Sequence, residues 1–190
     1  MERLERYAAL LEKWNPKINL VARSTLDSLW DRHFVDSAQV FAHAPQGAKS
    51  WADLGSGGGF PGLVIAILAA EKAPEMQVTL VESDTRKSAF LRTVIRETGI
   101  SARVIDDRIE KIPPLQADVV SARALADLTT LLGFAAHHLA KGGTALFPKG
   151  VSWEKELREA RQTWRFGCER FTSETDADAV ILRIEGIEHV

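Results

Sequence analysis

The stretch 51–62, WADLGSGGGFPG, joins a short apolar run to a glycine-rich loop and then to the start of a helix. Its glycines can adopt positive φ angles and allow the backbone to approach a ligand closely. These glycines are Gly55, Gly57, Gly58 and Gly59. Pro61 suits the first turn of a helix, and the apolar run 63–70 continues that helix. Because the free N–H groups of a helix start favour polar or anionic groups, the stretch predicts a ligand-binding turn.

The next predicted strand helps to distinguish between the nucleotide cofactors that such a turn can bind. The apolar run 78–81 ends in Glu82, which places a carboxylate where a doubly wound sheet holds one to accept hydrogen bonds from ribose hydroxyls. The dinucleotide fingerprint G-x-G-x-x-G requires glycine at position 60, where this chain has Phe60, and the observed spacing is G-x-G-x-G. The sequence therefore favours S-adenosylmethionine over NAD as the cofactor.

From residue 50 onward the chain alternates strand and helix patterns, which predicts an α/β fold with a mostly parallel sheet. Strands are predicted at 50–54, 77–81, 102–106, 118–122 and 144–148, and helices at 61–72, 85–98, 126–140 and 152–164. Gly99 and the pair Gly142-Gly143 are predicted to end two of these helices. The runs 167–172 and 179–185 have no helical pattern between them and predict an antiparallel hairpin.

Two helices are predicted before the sheet. Apolar residues at helical spacing indicate a first helix over 2–14, which should end before Asn15-Pro16 because a residue before proline disfavours the helical conformation. Ser24 or Thr25 can cap a second helix that continues to Pro45. We therefore expect a single domain, with an N-terminal helical cap over 1–48 and a Rossmann-like core over 49–190.

Composition limits the functional classes. The net charge of −2 provides no basic field over the whole domain, so any contact with RNA must be local, although 141–170 carry seven Lys or Arg against four Glu. The single cysteine, Cys168, excludes an internal disulfide, and no metal site is predicted. The apolar run 63–70 is too short to span a membrane, and an N-terminus with Glu2 and Glu5 is not typical of a signal peptide. We expect a cytoplasmic protein with no membrane partner.

Several side chains at the predicted ligand edge have two open interpretations. Asp53 can fix the glycine loop or accept from an amino group of the ligand, and Phe60 can pack in the core or border a bound nucleoside. Arg123 follows an apolar strand and must reach solvent, a carboxylate or a phosphate. His33 and Asp36, three residues apart on one helical face, can form a functional pair or hydrogen-bond one another.

Several motifs occur in a fixed order along the chain. They are WNPKINL at 14–20, RHFVDS at 32–37, DLGSGGGFPG at 53–62, Glu82-Ser83 with Arg86-Lys87 and Phe90-Leu91, SARA at 121–124, and Lys149-Gly150. Over roughly residues 10–150 this set closely resembles the glucose-inhibited division protein B family, the bacterial small-subunit (16S) ribosomal RNA guanine-N7 methyltransferases.

The resemblance implies a class I S-adenosylmethionine-dependent methyltransferase with a Rossmann-like, seven-stranded sheet. It implies cofactor contacts at Gly55, Phe60, Ile109, Glu110 and Arg123, to which the loop pattern adds Asp53, Gly57 and Glu82. It also places His33, Asp36 and Lys149 in the active site. The implied reaction is methyl transfer to N7 of a guanine in small-subunit rRNA.

For RNA, we expect a local basic patch around the methyl end of the cofactor. Its expected members are Lys17, Arg23, Arg32, Lys87, Arg123 and Lys149. Two other functions stay open, a small-molecule methyltransferase and a non-catalytic RNA-binding module on the same fold. We expect a monomer, and the sequence does not distinguish free rRNA from a partly or fully assembled subunit as its substrate.

Overall fold

The computed structural model describes all 190 residues and contains one seven-stranded sheet with the strand order β3-β2-β1-β4-β5-β7-β6. The strands are β1 (Ser50–Leu54), β2 (Gln77–Glu82), β3 (Arg103–Asp106), β4 (Ala117–Ser121), β5 (Leu139–Lys149), β6 (Trp164–Thr172) and β7 (Val180–His189). The α-helices are α1 (Glu2–Ile18), α2 (Asp36–Ala42), α3 (Gly62–Lys72), α4 (Thr85–Thr98), α5 (Leu128–His138) and α6 (Trp153–Ala160).

The sheet is mostly parallel, as the alternating pattern predicts. Strand β1 pairs in parallel with both β2 and β4, β3 extends the sheet beyond β2, and β5 extends it beyond β4. Strand β7 runs antiparallel between β5 and β6, so the predicted hairpin is also confirmed. Because the chain builds outward in both directions from β1, a crevice opens at the carboxyl ends of β1 and β4.

Two apolar clusters cover the two faces of the sheet. One has 25 buried residues and joins the N-terminal helices to α3 and α4, with Tyr7, Leu63 and Phe90 fully buried. The other has 19 buried residues and packs α5 and α6 against the opposite face around Leu131 and Phe147. The N-terminal helices therefore share a hydrophobic core with one face of the sheet, and this packing fixes them beside the carboxyl ends of the parallel strands.

Helix α4 has the ends that its sequence predicts. The Asp84 carboxylate accepts from the backbone N–H groups of Arg86 at 2.9 Å and Lys87 at 3.3 Å, which caps the first turn. Gly99 ends the helix with a φ of +63°. None of the helices in the protein combines the length and apolar character needed to cross a membrane.

The prediction that the first helix ends before Asn15 is wrong. Helix α1 continues to Ile18 with Pro16 inside its last turns, and Asn19 ends it in the left-handed conformation at a φ of 51°. Proline removes one helical hydrogen bond there, but the Asn15 side chain accepts from the Val21 N–H at 2.9 Å and secures the chain beyond the helix. Tertiary packing thus outweighs the local effect of the proline.

The predicted second helix is divided into three segments. A 3₁₀ helix over Arg23–Ser28 and a π-helical segment over Trp30–Val35 precede α2. Ser24 and Thr25 lie inside the first segment and cap nothing, because the Thr25 hydroxyl instead donates to the Ala22 carbonyl at 2.7 Å. The wider π turn is typical of a functional site.

The C-terminal half differs from the prediction at two boundaries. Helix α5 ends at His138, and β5 begins directly at Leu139 because Leu139 pairs with Ala117 of β4. Gly142 and Gly143 therefore lie within β5 and do not end a helix. Helix α6 ends at Ala160, since β6 already begins at Trp164.

Candidate active site

A cavity of about 1010 Å³ opens at the carboxyl ends of the parallel strands and under the N-terminal helices. Most of the side chains predicted for the site line it, namely Arg32, His33, Asp36, Gly55, Gly57, Phe60, Glu82, Lys87, Ile109, Glu110, Arg123 and Lys149. Asp53, Lys17 and Arg23 do not line it. The predicted convergence of basic residues on the site is therefore wrong for Lys17 and Arg23, which lie exposed on α1 and at the start of the 3₁₀ helix.

The glycine loop needs its glycines for two different reasons. Gly55, Gly57 and Gly59 have φ angles of 65°, 53° and 94°, which favour glycine, whereas Gly58 does not have a positive φ. A Cβ atom at Gly58 would lie 3.0 Å from the backbone oxygen of Leu20, so the N-terminal cap packs directly on the loop. The Tyr7 hydroxyl donates to the Gly58 carbonyl, a contact that sequence analysis missed although Tyr7 lies beside the apolar stripe of α1.

Glu82 holds the glycine loop in place. One carboxylate oxygen, Oε2, accepts from the Gly57 N–H at 2.7 Å, and Oε1 accepts from the Asp84 N–H at 2.8 Å. The residue is buried and lines the cavity. Since a carboxylate offers about four acceptor positions, Glu82 retains acceptor capacity beyond these two bonds.

Asp53 lies behind the loop and has no exposed surface. Its Oδ1 accepts from the Ser121 hydroxyl at 2.7 Å, and its Oδ2 accepts from the Gly62 N–H at 3.2 Å. Burial raises the pKa of Asp53 to about 6, against the lowering effect of these hydrogen bonds. Of the two roles left open by the sequence, the geometry favours fixing the loop and leaves no surface for direct contact with a cofactor.

Arg123 connects the end of β4 to the N-terminal cap. Its Nη2 donates to His33 Nδ1 at 2.6 Å, and its Nη1 donates to the Arg32 carbonyl at 3.1 Å. The guanidinium carbon lies 5.2 Å from the centre of the Phe60 ring, and Nη1 lies 4.0 Å from Asp36 Oδ2. His33 and Asp36 therefore do not bond each other but meet through Arg123.

These contacts determine the protonation of His33. Arginine only donates, so His33 Nδ1 must accept and Nε2 carries the proton. Nε2 then donates to the Thr25 hydroxyl at 2.8 Å, which donates in turn to the Ala22 carbonyl. Burial, followed by the charges of Arg123 and Arg32, lowers the pKa of His33 to about 4. His33 is neutral near pH 7 and serves as an acceptor that orients Arg123.

We expect the pH dependence of stability to report this arrangement. Because the folded pKa of His33 lies at about 4 and the unfolded value is 6.5, the unfolded chain binds more protons in this window. The contribution of His33 to the free energy of unfolding should therefore fall as the pH is lowered from about 6.5 towards 4, while Asp53, with its raised pKa, contributes in the opposite direction in both proteins. In His33→Asn, the amide oxygen can still accept from Arg123 without titrating. Urea unfolding of both proteins across this range should give diverging curves, and parallel curves would contradict the assignment.

The segment between β6 and β7 forms another wall of the cavity. Asp36 Oδ1 accepts from the hydroxyls of Ser173 and Thr175, and Gln39 Oε1 accepts from the Glu174 N–H at 2.8 Å. These residues were missed by sequence analysis, since nothing in the pattern of a polar loop shows that it folds back onto α2. The loop orients the Asp36 carboxylate.

Lys149 is part of a wall and is not a free cation. Its ammonium group lies 2.7 Å from Glu156 Oε2 and donates to the Ala126 carbonyl at 2.8 Å, with 9% of the side chain exposed. Burial raises the pKa of Glu156, but the hydrogen bond and charge of Lys149 more than offset this and hold it below its usual value. The geometry therefore corrects the expectation that Lys149 is available for a phosphate.

The family can now be assigned. A model of the family described as rRNA small subunit methyltransferase G matches residues 1–178. The chain belongs to this family. It is 57% identical over 190 residues to the ribosomal RNA small subunit methyltransferase G of Ruegeria sp. strain TM1040, covering 100% of this chain and 92% of that protein. The protein of the same name from Ruegeria pomeroyi is 59% identical over 189 residues, again covering 100% and 92% of the two chains.

Solved structures support the fold. The chain is similar to a SAM-dependent methyltransferase from Aquifex aeolicus, with a TM-score of 0.63, 13% identity and coverage of 83% of this chain and 92% of that one. It is also similar to an O-methyltransferase from Bacillus cereus in complex with SAH, with a TM-score of 0.62, 13% identity and coverage of 98% and 91%. The class I methyltransferase fold predicted from the sequence is confirmed.

Proposed function

We propose that this chain transfers a methyl group from S-adenosylmethionine to N7 of a guanine in small-subunit (16S) rRNA. The observation that carries the proposal is one continuous cavity in a member of this family. The cavity joins the glycine loop and Glu82 on one side to Arg123, His33 and Asp36 on the other. A nucleoside cofactor and a nucleobase can therefore meet in it.

The residues on the loop side fit S-adenosylmethionine. The backbone at Gly55 and Gly57 is open to close approach, and Glu82 has acceptor capacity suited to two ribose hydroxyls. Ile109, which is nearly buried and lines the same cavity, offers an apolar surface for an adenine ring, and Glu110 lies beside it. When bound, this cofactor supplies an electrophilic methyl carbon on a positively charged sulfur.

The residues on the cap side position and polarise the substrate. Guanine N7 has a lone pair and no proton, so transfer requires no general base, and the neutral His33 is not needed as one. Catalysis then depends on holding N7 in line with the methyl group, where effective molarity supplies most of the acceleration. Positive charge moves onto the purine during transfer, and we assign its stabilisation to the Asp36 carboxylate, which lines the cavity.

Asp36→Asn should slow methyl transfer by on the order of 10- to 100-fold, because a neutral amide replaces a charged acceptor near the purine. Binding of S-adenosylhomocysteine, measured by calorimetry, should not change. Asp178→Asn, in the exposed part of the same loop and outside the cavity, serves as the matched control. Equal rates of methyl transfer for the two variants would show that Asp36 has no role in the reaction.

We also propose that the protein acts as a monomer in the cytoplasm. The proposed ribosomal substrate supports the cytoplasmic location. The two other functions considered are a small-molecule methyltransferase and a binding module without catalysis.

The test combines binding and transfer. Calorimetric titration with S-adenosylhomocysteine should show a complex, whereas a binding module without catalysis that has lost its cofactor site would show none. Transfer of a labelled methyl group should be measured side by side on free rRNA, an assembly intermediate and the finished small subunit. We expect label in at least one of these, and label found only in small metabolites would contradict the proposal.

A further inference from the structure

A second groove, of about 310 Å³, lies outside the main cavity between α6 and the strands β6 and β7. Arg158 and Arg161 reach it from α6 and the turn that follows, and Arg170 reaches it from β6. We refer to it as the arginine groove. Trp153 forms part of its apolar floor, and Glu154 is its one acidic residue.

The three arginines of the groove carry uncompensated charge. Arg158, Arg161 and Arg170 are all exposed, and none of them forms an ion pair within the protein. The Arg170 guanidinium instead lies 5.3 Å from the centre of the Trp153 ring, and that of Arg161 lies 5.1 Å from that of Phe166. Stacking restricts these guanidinium groups and leaves their N–H donors available to an anion.

Of the five Lys and Arg residues that line the main cavity, three are engaged within the protein, whereas Lys87 and Arg108 form no ion pair. Lys149 is paired with Glu156, Arg123 is bonded to His33, and Arg32 lies 3.5 Å from Asp176. In a chain with a net charge of −2, a groove lined by three arginines and one glutamate is locally positive, which favours contact with a polyanion.

The groove and the cavity lie on either side of α6 and of β7. Glu156 of α6 lines the cavity, whereas Arg158 of the same helix lines the groove. On β7, Ile181 lines the cavity and the next residue, Leu182, lines the groove. The two sites are therefore neighbours on the surface, and an extended RNA strand is long enough to contact both.

We propose that the arginine groove binds the phosphodiester backbone of the rRNA outside the cavity that receives the target guanine. The inference rests on the proposed function, because it assumes an RNA substrate. Arginine suits this role, since its planar guanidinium can donate two parallel hydrogen bonds to one phosphate. The groove supplies affinity and orientation, and the cavity supplies chemistry.

The test replaces Arg158, Arg161 and Arg170 together with glutamine and measures rRNA affinity against salt concentration. Three lost phosphate contacts should make the slope of log affinity against log salt shallower by about 2. Between about 50 and 200 mM salt, the wild type should therefore lose about 20-fold more affinity than the variant. The triple replacement by lysine should retain most of the slope. Calorimetric binding of S-adenosylhomocysteine should be equal in all proteins.

Arg103→Gln is the matched control. Arg103 is an exposed arginine without an ion pair on β3, at the opposite edge of the sheet from β6, and its loss should leave the slope unchanged. Arg158→Glu is a second test in case the triple variant does not fold. Arg158 has no aromatic stacking partner, so its replacement should not disturb the packing, and it should weaken rRNA binding by itself. If the triple variant and Arg158→Glu both keep the salt slope of the wild type, the proposal that the arginine groove binds rRNA is overturned. Methylation of rRNA by the wild-type protein would still support the proposed function in that case. A wild type that neither binds nor methylates rRNA would overturn both.

Discussion

Gly55→Val is expected to abolish binding of the cofactor, with no measurable heat on titration with S-adenosylhomocysteine. Gly55 has a φ of +65°, which a β-branched side chain resists, and its Cβ would lie 2.6 Å from Leu125 Cδ1. Leu125 also lines the cavity, so its side chain must turn aside, and the loop must leave the conformation that its positive φ gives it. Methyl transfer should be lost together with binding.

Gly186→Val separates this effect from simple backbone strain. Gly186 lies on β7 with a φ of +63°, nearly the same as that of Gly55, and a Cβ there would meet open space. Both variants should lose roughly 1–2 kcal/mol of stability from the unfavourable φ, but only Gly55→Val should lose the cofactor. If Gly55→Val binds S-adenosylhomocysteine nearly as tightly as the wild type, the glycine loop is not part of the cofactor site.

Glu82→Gln is expected to weaken cofactor binding by about 1.5–3 kcal/mol, which is roughly 10- to 150-fold in the dissociation constant. The amide keeps one acceptor oxygen, so it cannot hold the N–H groups of Gly57 and Asp84 at the same time and still receive ribose hydroxyls. The loop and the ribose contact should therefore be weakened together.

Asp106→Asn is a matched control for Glu82→Gln. Asp106 lies beside Glu82 in register at the end of β3, but it does not line the cavity. Its replacement should leave calorimetric affinity for S-adenosylmethionine unchanged. Equal affinities for wild type, Glu82→Gln and Asp106→Asn would show that the ribose assignment is wrong.

The parts of the site that sequence predicts best are those fixed by neighbouring parallel strands. Gly55 follows β1 and Glu82 ends β2, and the carboxyl ends of paired strands must lie together, so their proximity follows from strand order alone. The Gly57–Glu82 hydrogen bond is the structural consequence. The end of α4 at Gly99 is similarly local, because a single residue can adopt the required φ.

Other features depend on tertiary packing that no local pattern contains. The passage of α1 through Pro16 depends on contacts made beyond the helix, and the choice between two roles for Asp53 depends on complete burial beneath the loop. The meeting of Arg123 with His33 joins elements 90 residues apart. The sequence led us to expect solvent, a carboxylate or a phosphate as the partner of Arg123, and no local pattern indicated a neutral imidazole.

Basic residues were the least predictable. Charge alone does not show whether a lysine is free, and Lys149 is neutralised by Glu156 seven residues later, on the following helix. The surplus of positive charge over 141–170 was visible in the sequence, but only the packing of α6 against β6 brings Arg158, Arg161 and Arg170 into one groove. The same composition could have distributed these charges over two faces.

The atom that receives the methyl group distinguishes guanine-N7 transfer from every other reaction of this fold. Small-subunit rRNA would be incubated with the protein and labelled S-adenosylmethionine, then reduced with borohydride and treated with aniline, which cleaves the RNA chain at N7-methylguanosine. We expect label in the rRNA and a new cleavage at one guanosine, with both absent when Gly55→Val replaces the wild type. Label in the rRNA without that cleavage, or no label under any assembly condition, would contradict the proposed function.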